Sequence, residues 1–108
     1  MALAQLDGDK ITDWASFHAL SQQVFGFPDT YGHNLNAWVD CLSYLRDEDG
    51  MSRFKLFPNE VLKIELLHAE ALRARHPEIV DELAFCIDAI NERYSDYGEK
   101  PALELVAA

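Results

Sequence analysis

The chain has 108 residues, a length suited to one domain that buries most of its apolar surface around a single core. Hydrophobic residues make up 49% of it, with six Phe, four Tyr and two Trp, which excludes a disordered acidic tail. Nineteen acidic against nine basic residues give a net charge of -10 and a pI near 4.6, which argues against direct binding of nucleic acid through its phosphates and suits either a cationic partner or plain solubility.

Met1 to Leu6 is short and apolar and runs into Asp7-Gly8-Asp9, the pattern of an opening strand closed by a turn. From Thr12 or Asp13, either a suitable N-cap, Trp14, Phe17, Leu20 and Val24 recur at helical spacing until Gly26 stops the pattern. Phe27 to His33 reads as a shaped loop, because Pro28 removes a backbone donor and Gly32 tolerates positive φ. Asn34 then caps a second helix whose apolar stripe is Leu35, Trp38, Leu42 and Leu45, ending before Asp47-Glu48-Asp49-Gly50.

Met51 to Asn59 fits either a short edge strand or an ordered loop. Glu60 to Leu67 alternates with the period of a strand, although its leucines and glutamates also suit a helix. Ala69 to Arg75 reads as a short helix, and Pro77 starts a longer one ending near Arg93, with Ile79, Leu83, Cys86, Ile87 and Ile90 on one face. Tyr94 to Lys100 is a polar connection, and Pro101 to Val106 a last strand. Strands separated by helices predict an α/β fold: a small, mainly parallel sheet packed by helices, in one domain over residues 1–108.

Nothing approaches the roughly 20 apolar residues of a membrane span. The start Met1-Ala2-Leu3-Ala4-Gln5 lacks the basic residues of a signal peptide, so a cytoplasmic protein is expected. Cys41 and Cys86 lack CxxC spacing and read as reduced, packed thiols. His18, His68 and His76 form no zinc pattern, and there is no P-loop, GxSxG, HExxH or GxGxxG. No cofactor, metal or catalytic residue is therefore expected.

On the second helix Asn36, Asp40, Ser43 and Asp47 are spaced by three or four and share a polar ridge. Periodicity alone makes this the solvated side of an amphipathic helix. The run Tyr31-Gly32-His33-Asn34-Leu35-Asn36-Ala37-Trp38-Val39-Asp40-Cys41-Leu42 resembles the central signature of the barstar family, with Phe27-Pro28 and Ser16-Phe17-His18 also similar to family positions. Beyond Gly50 the similarity is one of element order.

The resemblance implies a three-stranded parallel sheet with packed helices, and a protein that blocks a secreted ribonuclease by covering its active site. It places Asp40 at the carboxylate that enters the enzyme's phosphate-binding centre, Asn36 where the type member has a second aspartate, and Gly32 and Asn34 at the loop and cap. The implied contact surface comprises Thr30, Tyr31, Gly32, His33, Asn36, Val39, Asp40 and Ser43, with Asp88 on the Pro77 to Arg93 helix as a supplementary acid. Thr30 and Val39 stand where the family has aromatics, and Asn36 lacks the charge, so the target differs from the familiar ribonuclease. The expected protein is an immunity-type inhibitor of a cationic toxin, a ribonuclease above all, and a monomer when free. A barstar-like regulator or scaffold with a non-nuclease partner is the second reading.

Overall fold

The computed structural model describes residues 2–108; Met1, the first residue of the expected opening strand, lies outside them. The elements in chain order are β1 (Ala2–Asp7), a 3-10 turn (Gly8–Lys10), α1 (Trp14–Phe25), α2 (Leu35–Leu42), β2 (Leu62–Leu67), α3 (Ala69–Arg75), α4 (Pro77–Asp96) and β3 (Leu103–Ala107). The strands lie in the order β1-β2-β3 and both pairings are parallel, with Ala4 opposite Ile64 and Ile64 opposite Leu105. The α/β architecture expected from the alternating pattern is the one observed.

Period-two alternation decides which side of the sheet meets the helices. Ala4, Leu6, Leu62, Ile64, Leu66 and Leu103 are buried, whereas Gln5 and Glu65 meet on the other face through a 2.9 Å hydrogen bond. Parallel strands need crossovers, and the helices that supply them also cover the apolar face. Phe17, Phe25, Trp38, Leu42 and Ile90 are fully buried in the resulting core, each contributing about 1.5–3 kcal/mol of apolar transfer.

Four expectations change. The buried side of α1 is Phe17, His18, Ser21 and Phe25, while Trp14, Leu20 and Val24 are only partly covered. α2 stops at Leu42: Leu45 is buried as the stripe required, yet it sits in a turn beyond the helix. α4 continues to Asp96, so Tyr94, expected in a polar connection, is helical and buried. Met51 to Asn59 forms no strand; Arg53 N–H and Ser52 Oγ both donate to Phe25 O, and Leu56 N–H donates to Leu45 O, making it an ordered loop. Among the described residues no helix is long and apolar enough to cross a membrane.

Candidate partner-binding surface

The surface begins with α1, because α1 holds the loop that follows it. Asp13 caps this helix with a reciprocal box, Oδ1 accepting from Ser16 N–H at 2.7 Å and Ser16 Oγ accepting from Asp13 N–H at 3.0 Å. At the other end Gly26 closes α1 with φ 67°, and a Cβ there would lie 2.8 Å from Arg53 Cβ. Glycine alone meets both conditions.

From the inner side of α1, His18, Ser21 and Gln22 reach forward at helical spacing. His18 Nδ1 and the Tyr31 hydroxyl share a 2.6 Å hydrogen bond, Ser21 Oγ accepts from Trp38 Nε1 at 3.1 Å, and Gln22 Nε2 donates to Pro28 O at 3.0 Å. Gln22 Oε1 also lies 3.0 Å from His33 Nε2. Three polar positions at helical spacing thus tie both the loop and α2 to α1. Burial, aided by the nearby His33, holds the His18 imidazole below the ordinary histidine range, and burial with nearby Cys41 and Cys86 pushes the Tyr31 hydroxyl well up.

The loop's left-handed residue is His33, φ 51°, rather than Gly32 as expected. A Cβ at Gly32 would stand 2.9 Å from Asn34 Nδ2, which donates to Gly32 O at 3.2 Å, and so would push the end of the capping side chain aside. Asn34 caps α2 as its position implied, Oδ1 accepting from Ala37 N–H at 2.8 Å. Trp38 is core, with no exposed surface.

Of the candidate contacts, Thr30, Gly32, His33, Asn36 and Asp40 are exposed, and Val39 and Ser43 are partly so. Tyr31 is 5% exposed; its ring packs on Phe27 and its hydroxyl on His18, so it shapes the loop and offers a partner little area. Asp88 is exposed on α4, but no side-chain contact among the described residues links it to Asp40. Five residues separate it from Arg93, which puts the two about 140° apart around the helix.

Asp40 has a partner that sequence reasoning missed. Arg93 Nη1 donates to Asp40 Oδ1 at 2.8 Å and to Ser43 Oγ at 3.3 Å, and Ser43 Oγ donates to Val39 O at 2.6 Å. The Asp40 and Arg93 side chains are 54% and 48% exposed, so their attraction is worth only about 0–1 kcal/mol. Tyr94, one residue on, is anchored below: its hydroxyl accepts from Leu45 N–H at 2.8 Å and donates to Leu42 O at 3.2 Å. Those two bonds fix the end of α2 against α4.

Cys41 and Cys86 are free and buried, and burial first, then Asp40 and Glu82 respectively, raises their thiols above the ordinary range. Such thiols are poor nucleophiles. Asp7, Asp9 and His68 bring ligand-type atoms within 4.8 Å of one another. The sequence hid this cluster because β1 and β2 bring together residues far apart in the chain. Its contacts are internal: Asp7 Oδ1 accepts from Asp9 N–H, and Asp9 lies 3.5 Å from His68 Nε2.

No curated protein matches the chain. The profile of one family, described as barstar (barnase inhibitor), matches residues 1–106, nearly the whole length. With the parallel three-stranded sheet, the helical cover and the Gly32-Asn34 loop leading into α2, that match settles the membership: the chain belongs to the barstar family.

Proposed function

We propose that this protein is a cytoplasmic inhibitor of the immunity type, which binds a cationic protein toxin, foremost a ribonuclease, and blocks its active site with the Thr30 to Ser43 surface. The observation that carries the reading is how Asp40 is presented. Its carboxylate is exposed on a helix capped by Asn34, tied to α1 through Trp38 and to α4 through Tyr94. A ribonuclease gathers cations to hold RNA phosphate, and a carboxylate on a rigid support occupies the same potential without being cleaved. Rigidity matters because little ordering entropy is then spent at the interface.

The target is a relative or analogue of barnase rather than barnase itself. Thr30, Val39 and Asn36 remove two aromatics and a charge from the surface, residue types that concentrate binding energy, and Asp40 is already in contact with Arg93. Inhibition requires no chemistry from the chain. The immobilised protein, offered the secreted nucleases of its own and neighbouring cells, should retain a ribonuclease and suppress its RNA cleavage in stoichiometric amounts. Retention of non-nuclease proteins only would instead establish the regulator reading.

A further inference from the structure

The free chain already holds a cation on the carboxylate that the proposed contact would use. Arg93 approaches Asp40 from α4, a separate element, and the same Nη1 also donates to Ser43, so it lies across two residues of the candidate surface. A partner's cation that takes Asp40 Oδ1 must share the carboxylate with Arg93 or displace it, and sharing brings two positive charges together. Their repulsion is screened while the surface is open to water and grows once a partner excludes that water.

A displaced Arg93 has somewhere to go. It lines an open groove of about 510 Å³ together with Tyr44, Asp47, Asp96, Tyr97 and Glu99. Asp96 follows it by three residues in the last turn of α4 and so lies on its side of the helix, and Tyr97 is the residue that closes α4. Neither Asp47 nor Asp96 has a side-chain hydrogen bond or ion pair among the described residues, and Tyr97 is 84% exposed. Carboxylates and an open aromatic face are the two surroundings that a guanidinium accepts best.

From this arrangement we infer that Arg93 is a specificity-determining residue: an internal stand-in for the partner's cation, which covers Asp40 in the free chain and moves into the groove when a stronger cationic centre displaces it. A single exposed lysine on a passing protein gains little from such an exchange, whereas a cluster of cations gains much. The surface therefore selects for the concentrated positive charge of a phosphate-binding site.

The inference rests on reading Asp40 as a contact, and its test needs no nuclease, so the two can fail separately. A hexa-arginine peptide is titrated into the whole protein while NMR follows the side-chain carboxyl carbons of Asp40 and Asp81. The Arg73–Asp81 pair, 3.0 Å long and somewhat more exposed, serves as an internal control on α3 and α4. In Arg93→Ala the half-saturating peptide concentration at Asp40 should fall about two- to fivefold, the range of an exposed ion pair. Arg73→Ala removes the same charge and should sharpen the response at Asp81 instead. If Arg93→Ala changes the Asp40 response no more than Arg73→Ala does, the covering role is wrong.

Discussion

Replacing Tyr94 with Phe removes one oxygen atom and keeps the buried ring, so it isolates what the hydroxyl does. That hydroxyl accepts from Leu45 N–H at 2.8 Å and donates to Leu42 O at 3.2 Å, in a residue only 4% exposed. Without it a donor and an acceptor at the end of α2 lose their partners where water has little access. An orphaned buried polar group costs about 1–3 kcal/mol. Leu42 O retains a second lone pair, so the donor dominates and a total of about 2 kcal/mol is expected. For a domain of this size that corresponds to a fall in Tm of roughly 8–16 °C. Urea unfolding followed by circular dichroism should show a lower midpoint with an unchanged m-value, because the surface exposed on unfolding is nearly the same. Hydrogen exchange at the Leu45 amide should accelerate more than at Ile64 in the central strand. A loss below about 0.5 kcal/mol, within the usual range for a surface change, would refute the claim that Tyr94 fixes the end of α2.

Asn34→Ala should cost about 0.5–2 kcal/mol by urea unfolding, since it strips the cap from Ala37 N–H and the tie to Gly32 O. Gly26→Ala should destabilise by about 1–2 kcal/mol, because φ 67° and the Arg53 side chain both oppose a Cβ. For pH, the folded His18 titrates below its ordinary value of 6.5, so the unfolded chain binds more protons and stability falls as pH drops below about 6.5. Tyr31 titrates above its ordinary value of 10.0, so its contribution is complete below that pH and is lost as pH rises beyond it. Unfolding midpoints between pH 4 and 11 should show both slopes, and His18→Gln should flatten the acidic one.

How far the sequence revealed this molecule depends on the range of the interactions involved. Asn34 with the stripe Leu35, Trp38 and Leu42 announces α2, and Pro77 the start of α4, because capping and periodicity act within a turn or two. The end of α2 is hidden because Leu45 continues the apolar spacing, and its backbone N–H is satisfied by Tyr94, 49 residues away. His18 and Ser21 look like breaks in an apolar face until Tyr31 and Trp38 are seen to satisfy them. Their spacing with Gln22 along one side of α1 was the available signal. Residues 51–59 have no period, since the bonds that order them run to Phe25 and Leu45. The Arg93 to Asp40 contact spans 53 residues, and only the packing of α4 beside α2 creates it.

The central claim is that Asp40 is the anchor of a surface that blocks a cationic active site, and its dissociation constant for the captured ribonuclease tests this most directly. Asp40→Ala removes the carboxylate that the partner's cations would engage, which weakens the complex. Affinity should drop by at least about 30-fold, or 2 kcal/mol, the threshold of a dominant contact. The association rate of the wild-type protein should fall steeply as salt rises. An Asp40→Ala variant that bound and inhibited the ribonuclease as tightly as wild type would contradict the account.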